Sequence, residues 1–219
     1  MKIAILIFDR LTALDAIGPY EVMRSVPGWE IDFVAKARGE LRTDSGFLGL
    51  VADRTLEEVS APDIVVVPGG PGTRIAGAAG EPGLKDDTEV LEWLRAVDAT
   101  SKWTTSVCTG SLVLGAAGLL EGKRATSNWL YLERLGEFGA EAVGGRFVED
   151  GKTITAAGVT AGLDMALHLV SRESGPEMAQ AIQLGLEYDP HPPFDTGSPD
   201  KAPPEVIAAV TAFERAGEA

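Results

Sequence analysis

A chain of 219 residues, 45% hydrophobic and 24% charged, has the composition of a globular protein and not of an intrinsically disordered one. The formal net charge of −14, without a cluster of Lys and Arg, excludes a protein that binds the phosphates of nucleic acids. The single cysteine excludes an intrachain disulfide and a cysteine-rich metal site, and it fits the reducing cytoplasm. The apolar segment 1–8 is too short for the core of a signal peptide, and we expect no membrane contact.

The sequence patterns alternate between strand and helix. Runs of β-branched apolar residues predict strands, and apolar residues three or four positions apart predict helices. In chain order, the patterns predict a strand over 2–8, a helix over 14–25, a strand over 31–35, a short hairpin within 39–49, a short helix at 56–59 and a strand over 63–67. The last strand is a run of Ile and Val that ends at a Pro- and Gly-rich segment, which is typical of a strand buried on both faces.

The second half of the chain continues the alternation. The patterns predict a helix over 87–97, a strand over 103–107, helices over 110–120 and 130–138, a hairpin that joins 146–149 to 153–156, and a helix over 160–171. Residues 188–204 are rich in Pro, Asp and Gly and predict an extended surface segment before a short final helix over 204–214. Together these elements predict an α/β fold with a mostly parallel sheet and helices on both faces, in one domain over residues 1–219.

Cys108 lies at the predicted junction between a buried strand and an apolar helix. A side chain on such a turn is presented at the top of the sheet, as in a nucleophile elbow, and the amides of the first helical turn stabilise a thiolate. We therefore predict a lowered pKa for the Cys108 thiol, and a Thr109 hydroxyl that can hydrogen-bond a substrate. The alternative is that Cys108 is a small, inert core residue, which is a common use of a free cysteine.

Two further segments carry candidate site residues. The glycine-rich loop 67–72, which includes Gly70, can bring backbone amides close to a ligand and form half of an anion-stabilising hole. A tight turn is the simpler interpretation of the same loop. Asp15 stands in the otherwise apolar stretch 11–20, just after the first strand. It is either the N-cap of the following helix or an acid that handles protons for Cys108, and one residue can do both.

The Asp15 loop, the segment 65–72 and the turn SVCTGS around Cys108 occur in the order and spacing of the ThiJ/PfpI superfamily, which the chain resembles. The resemblance implies a flavodoxin-like three-layer sandwich, with a reactive cysteine on the elbow and an acidic residue that hydrogen-bonds its sulfur. Most members have Glu at that acidic position, whereas members similar to isonitrile hydratase have Asp there and Thr after the cysteine, as this chain does. Relatives often have His before the tryptophan where this chain has Asn128. Further segments look like that subgroup: 14–23, 106–120, 125–129, 155–164 and 187–199.

The resemblance to this subgroup implies a hydro-lyase that hydrates an isonitrile, acts as a homodimer and needs no cofactor or metal. In such an enzyme Cys108 would attack the terminal isonitrile carbon, and Asp15 would deliver and take up protons. Thr109 would hold the substrate nitrogen or the water. We expect three further residues to contact the substrate, the last two by shaping an apolar pocket: Gly70, Ile17 and Trp129.

Three other functions compete with this prediction. A Cys–His pair of the peptidase type has little support, because Thr109 follows the cysteine and the histidines His168 and His191 lie in the long helix and the Pro-rich tail. A redox sensor would use oxidation of Cys108 to a sulfenic or sulfinic acid. A stand-alone ligand sensor is the third alternative, because the sensor half of AraC-type regulators carries the same SVCTGS and TSxW signatures.

Overall fold

The computed structural model describes residues 1–75 and 82–217 and arranges their strands in three sheets. In chain order the strands are β1 (Lys2–Leu6), β2 (Glu30–Ala35), β3 (Gly39–Arg42), β4 (Gly49–Ala52), β5 (Arg54–Thr55), β6 (Ile64–Val67), β7 (Trp103–Val107), β8 (Arg124–Ala125), β9 (Glu141–Ala142), β10 (Phe147–Asp150) and β11 (Thr153–Ala156). The central sheet has the spatial order β10-β11-β7-β6-β1-β2-β5, and its neighbours are parallel except for β10 and β11. Outside it, β3 and β4 form an antiparallel hairpin, and β8 and β9 form a short parallel pair.

Helices flank the central sheet. They are α1 (Ala13–Met23), α2 (Thr88–Asp98), α3 (Gly110–Ala116), α4 (Ala161–Ser174), α5 (Pro176–Gly185) and α6 (Pro204–Gly217), with short 3₁₀ helices at Pro71–Thr73, Leu84–Asp86 and Leu132–Phe138. Helix α4 packs against α1 and α5, whereas α2 and α3 pack against each other. This mostly parallel sheet with flanking helices confirms the predicted α/β fold of the flavodoxin type. Within the described ranges, every helix is too short or too polar to cross a membrane.

Strand β6 lies at the centre of the core, with all four of its side chains fully buried. It is hydrogen-bonded to β1 on one side and to β7 on the other. A strand covered on both faces shows no polar alternation, which explains its continuous run of Ile and Val. Pro68 follows directly and ends the strand, because proline has no amide hydrogen to give to a neighbouring strand.

The order of the strands reverses between β1 and β6. From β1 the chain moves outward to β2 and β5, and it then returns through β6, β7 and β11 on the other side of β1. Loops that leave the carboxyl ends of such neighbouring strands diverge and open a crevice, which is the usual place for a ligand in this kind of sheet. The segment before α1 and the glycine-rich loop after β6 leave the sheet at this point, and the Cys108 turn follows the adjacent strand β7.

Three predicted helices differ from the structure. The predicted helix over 110–120 ends at Ala116, because Gly118 adopts a left-handed backbone with φ 78° and turns the chain away. The predicted helix over 130–138 is the 3₁₀ helix noted above, and it closes at Gly139 with φ 73°. The predicted helix at 56–59 is wrong, because this segment forms turns in which the Glu58 and Val59 amides bond to carbonyls three residues earlier.

Helix α5 lies within residues 172–187, for which the sequence patterns above predict no element. Gly175 ends α4 with φ 90°, and Pro176 begins α5 at a position where an amide hydrogen has no partner inside the helix. Ala179 and Ile182 are its buried residues and lie three positions apart. The Gly–Pro pair followed by this apolar spacing is therefore a signal that could have located the helix.

The C-terminal part of the chain runs as a segment without helix or strand over residues 188–203, followed by α6. At its start, the Tyr188 hydroxyl donates to Oδ1 of Asp164 at 2.9 Å. In α6, Oε1 of Glu214 accepts hydrogen bonds from Arg74 at 2.9 Å and from the Tyr131 hydroxyl at 2.8 Å. Helix α6 is therefore fastened to two different parts of the chain.

Candidate active site

Cys108 occupies a sharp turn between β7 and α3, with φ 57°. This left-handed backbone is unfavourable for a residue with a side chain, and hydrogen bonds on both sides hold it in place. The Cys108 amide donates to the carbonyl oxygens of Ala156 (3.1 Å) and Ala157 (2.9 Å). Its carbonyl oxygen accepts from the hydroxyls of Ser111 and Ser127, both at 3.1 Å. The geometry of the predicted elbow is thus confirmed, and Cys108 as a whole residue is only 6% exposed.

Two glycines allow the loop after β6 to approach the Cys108 turn. A Cβ atom on Gly110 would overlap the carbonyl oxygen of Val67, and one on Gly69 would lie 2.5 Å from the amide nitrogen of Thr109. Distances of this kind are shorter than real Cβ contacts, and the obstructing atoms belong to the backbone and cannot move aside. The two loops can pack against each other only because both positions lack a side chain.

Asp15 is fully buried in the first turn of α1. The N-cap residue of α1 is Thr12, so the alternative that Asp15 is the N-cap is wrong. One carboxyl oxygen, Oδ2, accepts a hydrogen bond from the Gly69 amide at 2.9 Å. The other, Oδ1, has no partner in strict hydrogen-bond geometry among the described residues, although the carboxyl group interacts with the side chain of Cys108. The fold therefore brings together the two residues that the sequence paired.

The pKa of Asp15 is raised from its ordinary value of 3.8 to about 7. Burial is the main cause, because it removes the water that would stabilise the charged carboxylate. The Gly69 amide and the interaction with Cys108 act in the opposite direction, and the negative charge of Asp44 raises the pKa slightly further. An acid in this condition can both give and accept a proton near neutral pH.

The predicted lowering of the Cys108 pKa is wrong, because the structure raises it. Burial is the larger cause, and the Asp15 carboxylate adds to it, since both disfavour a second negative charge. The amide of Thr109, the side chain of Asn128 and the hydroxyl of Thr109 lower the pKa in part. The start of α3 favours a thiolate, but burial and the adjacent acid outweigh it. Above about pH 7 the two groups therefore hold one proton between them.

Thr109 and Gly70 are joined in one hydrogen-bond network. The Gly70 amide donates to Oγ1 of Thr109 at 3.0 Å, and the hydroxyl of Thr73 lies 3.1 Å from the same oxygen. The Gly70 amide and the neighbouring Gly69 amide are thus taken up by Thr109 and Asp15. The two amides therefore position Asp15 and Thr109. Because both already have acceptors, the expected half of an anion-stabilising hole is not present in this loop.

Ile17 and Trp129, the predicted pocket residues, lie away from the apolar core. Ile17 is half-buried on α1, two positions after Asp15. Trp129 is 36% exposed and lines a cavity of about 80 Å³ together with residues of the C-terminal segment and α6. A second cavity, of about 460 Å³, lies near the carboxyl ends of β1 and β2 and is bordered by Phe8 and Leu41. Cys108 does not line this cavity, which therefore lies apart from the reactive thiol.

Asn128 is the site residue that sequence reasoning missed. Its side-chain amide lowers the pKa of the Cys108 thiol in part, and it follows Ser127, which donates its hydroxyl to the Cys108 carbonyl. The signal was present in the TSxW signature, where Asn128 precedes Trp129. Over residues 1–75 and 82–217 no cluster of His, Cys, Asp and Glu has the arrangement of a metal site.

Comparison with known proteins gives three consistent findings. The model of the DJ-1/PfpI family matches residues 1–172. An isonitrile hydratase from Pseudomonas putida is 44% identical over 207 residues, which cover 94% of this chain and 87% of that protein. A crystal structure of a ThiJ/PfpI family protein from Pseudomonas syringae superposes with a TM-score of 0.91 at 38% identity, over 97% of this chain and 85% of that one.

A transcriptional regulator shares part of the same sequence. The HTH-type transcriptional regulator CdhR of Pseudomonas aeruginosa is 36% identical over 101 residues, which cover 45% of this chain and 30% of the regulator. The regulator is therefore similar to part of this chain, whereas the hydratase and the family model match most of it. The matched family model, together with the elbow cysteine on a flavodoxin-type sheet, shows that the chain belongs to the DJ-1/PfpI family.

Proposed function

We propose that this protein is an isonitrile hydratase, which adds water to an isonitrile and releases an N-substituted formamide through a thioimidate on Cys108. The observation that carries the proposal is the buried pair of Asp15, with a pKa of about 7, and the Cys108 thiol. The 44% identity to the Pseudomonas putida isonitrile hydratase over most of both chains supports the same reaction.

The first step of the proposed reaction uses the single proton of the pair. The terminal carbon of an isonitrile accepts a nucleophile only if a proton reaches that carbon as the new bond forms. Cys108 attacks as a thiolate, and Asp15 gives its proton to the carbon, so the enzyme holds a neutral thioimidate and an Asp15 carboxylate. Above about pH 7 the raised pKa of Cys108 keeps this proton in the pair, and the Asp15 carboxylate takes it from the sulfur before passing it to the carbon.

The second step adds water. The Asp15 carboxylate takes a proton from the water while the hydroxide forms a bond to the thioimidate carbon, and the same proton then passes to the substrate nitrogen. In the last step the tetrahedral adduct loses its hydroxyl proton to Asp15 as the carbon–sulfur bond breaks. The formamide leaves, and the pair returns to a Cys108 thiolate and a protonated Asp15. No cofactor or external proton is consumed.

Turnover of an aliphatic isonitrile tests the proposal. Loss of the isonitrile and appearance of the formamide are followed by chromatography for the wild type, Cys108→Ala and Asp15→Asn. Asp15→Asn keeps the shape of the side chain and its acceptor for the Gly69 amide but cannot exchange a proton. We expect both variants to lose at least about 100-fold in kcat, in the range that general acid–base catalysis supplies. The control is Glu92→Gln, which removes an exposed carboxylate on α2.

A covalent intermediate provides a second test. Mass spectrometry of the wild type quenched during turnover should show a mass increase of one isonitrile molecule, located on Cys108. The chain has one cysteine, so no other thiol can carry the adduct. Absence of formamide with every isonitrile tried, and absence of the adduct, would contradict the proposed function.

A ligand sensor without catalysis is the second candidate, supported by the similarity to the regulator CdhR. In that case the wild type and Cys108→Ala would bind the ligand equally well, and neither would produce formamide. A redox function is less well supported, because a thiol with a raised pKa holds little of the thiolate that peroxides attack. A buried acid whose Oδ1 lacks a donor in strict geometry among the described residues also favours catalysis, since a binding domain gains nothing from that destabilising arrangement.

A further inference from the structure

Thr73 is fully buried in the 3₁₀ helix that follows the glycine-rich loop, and it takes no part in the reaction proposed above. Its hydroxyl oxygen lies 2.8 Å from the carbonyl oxygen of Gly70 and 3.1 Å from Oγ1 of Thr109. The backbone amide of Thr73 also donates to the Gly70 carbonyl, at 3.1 Å. Thr73 therefore contacts both the glycine-rich loop and the residue that follows the nucleophile.

The hydrogens of this network can be assigned, because a carbonyl oxygen has none to give. The Gly70 amide donates to Oγ1 of Thr109 at 3.0 Å. The Thr73 hydroxyl has one hydrogen, which goes either to the Gly70 carbonyl or to Thr109. In the first case the Gly70 carbonyl accepts two hydrogens from Thr73, which occupy both of its lone pairs. In the second case the hydrogens from Gly70 and Thr73 occupy both lone pairs of the Thr109 oxygen.

The hydroxyl hydrogen of Thr109 has a poor acceptor in both arrangements. Among the described residues, the network offers it only the Gly70 carbonyl, at 3.4 Å, whereas O–H···O bonds are usually about 2.5–3.0 Å long. In the first arrangement that carbonyl is also occupied already by Thr73. The Thr109 hydroxyl therefore keeps its hydrogen available for a group outside the network.

The Thr109 oxygen lies next to the nucleophile. A Cβ atom on Gly69 would be 2.7 Å from Oγ1 of Thr109 and 2.8 Å from Cβ of Cys108, so these two atoms border the same point. The amide of Gly69 donates to Asp15. The Thr109 hydroxyl also lowers the pKa of the Cys108 thiol in part, as a hydrogen-bond donor near a sulfur does. Its available hydrogen is thus close to the groups that react at Cys108.

We propose that Thr73 is a positioning residue, whose hydroxyl keeps the Thr109 hydrogen out of the loop network and directs it toward the reacting centre. There the Thr109 hydrogen stabilises the Cys108 thiolate. A second role rests on the proposed hydratase function: the substrate nitrogen has a lone pair in the thioimidate and gains negative charge as water adds, and Thr109 donates to it. Of the two ligands expected for Thr109, the substrate nitrogen and the water, a donor favours the nitrogen.

A set of variants separates the hydroxyl of Thr73 from its packing. Thr73→Val keeps the branched shape without the hydroxyl, and the Gly70 carbonyl is then free to accept the Thr109 hydrogen. Thr73→Ser keeps the hydroxyl and is the matched control. Thr109→Val removes the donor itself, and the double variant with valine at both positions tests whether Thr73 acts through Thr109. If the valine at position 73 prevents folding, comparison of Thr73→Ala with Thr73→Ser isolates the same hydroxyl.

The measurement is the rate constant for alkylation of Cys108 by iodoacetamide between pH 7 and 9, which reports on one residue because the chain has a single thiol. We expect Thr73→Val to react about tenfold more slowly than the wild type, and Thr73→Ser to react at the wild-type rate. Thr109→Val should be at least as slow as Thr73→Val. The double variant should be no slower than Thr109→Val, since the donor is already absent.

Equal alkylation rates for the wild type and Thr73→Val would overturn the inference. A slow Thr73→Ser would also overturn it, because the methyl group would then be responsible. The same slowing by Thr73→Val in the Thr109→Val background would assign the effect to packing and overturn it as well. With isonitrile as substrate, Thr73→Val should lower kcat about tenfold with little change in KM. A wild type that releases no formamide would contradict the hydratase function and the role at the nitrogen, while the alkylation rates still decide the role of Thr73.

Discussion

The carboxyl group of Asp15 lies buried beside the thiol of Cys108, and one of its oxygens has no hydrogen-bond donor in strict geometry within the described part of the chain. A buried carboxylate without full hydrogen bonding destabilises a folded protein, so the group is more stable when it carries a proton. The protonation of Asp15 therefore affects both the proposed reaction and the stability of the fold. It can be measured through the pH dependence of kcat/KM and of the free energy of unfolding.

The first prediction concerns stability and pH. The folded state holds the Asp15 proton up to about pH 7, whereas the unfolded chain releases it near 3.8. The contribution of Asp15 to the free energy of unfolding is therefore complete below about pH 4 and is lost as the pH rises to about 7, by up to about 4 kcal/mol. Denaturant unfolding of the wild type and Asp15→Asn at several pH values checks this. A difference between the two proteins that stays constant from pH 4 to 8 would contradict it.

The second prediction concerns activity and pH. Below about pH 7 both groups of the pair are protonated, and no base is available to generate the thiolate. We expect kcat/KM for isonitrile hydration to rise with an apparent pKa of about 7 and then to stay level, because the raised pKa of Cys108 retains the second proton. Initial rates between pH 5 and 9 test this, with Asp15→Asn as the variant that should lose the rising limb. A profile that falls through pH 7 would exclude this assignment of protons.

The third prediction concerns the close approach at Gly69. A methyl group there would lie 2.5 Å from the Thr109 amide nitrogen and 2.8 Å from Cβ of Cys108. Gly69→Ala should therefore destabilise the protein by about 1–3 kcal/mol, as overpacking does, and displace Thr109 enough to reduce turnover. The matched control is Gly136→Ala, where nothing lies within 4 Å of the added carbon. Equal melting temperatures for the two variants would show that the loops can move apart.

The fourth prediction concerns the attachment of α6. Glu214 accepts hydrogen bonds from Arg74, whose side chain is 5% exposed, and from Tyr131, whose ring also lies 4.0 Å from the Arg74 guanidinium. Glu214→Ala should weaken the docking of α6 and increase hydrogen exchange in residues 204–213 by roughly tenfold, since hydrogen bonds to charged groups of this kind are strong. Glu205→Ala, an exposed residue in the first turn of α6, serves as the control. Identical exchange in both variants would show that other contacts hold the helix.

The architecture could be predicted from the sequence because its signals are local. The Ile and Val run of β6 ends at Pro68, and this pair of features identifies a central strand without knowledge of its neighbours. Helix ends were less predictable, since Gly118 stops α3 through its backbone conformation, which the apolar pattern does not encode. Helix α5 was missed for the opposite reason: Gly175 and Pro176 marked its start, but only two buried residues follow.

The site could be predicted as a set of residues but not as an electrostatic environment. Cys108 and Asp15 were identified from their loops, and the fold places them together. The direction of the thiol pKa was wrong because it depends on burial and on the distance to a carboxylate 93 positions away, neither of which a short motif contains. The sequence does not point to Asn128, because its effect on the pKa of the Cys108 thiol arises only in the folded chain.

The left-handed backbone of Cys108, with φ 57°, strains any residue that carries a side chain. Glycine adopts such a backbone without strain, so Cys108→Gly would relieve about 1 kcal/mol that every residue with a side chain must bear. The buried sulfur offsets this gain, because its removal leaves a cavity in the core. Folding stability alone therefore gives cysteine little advantage over glycine here, and a library selected only for thermostability would not protect its nucleophile unless turnover were selected at the same time.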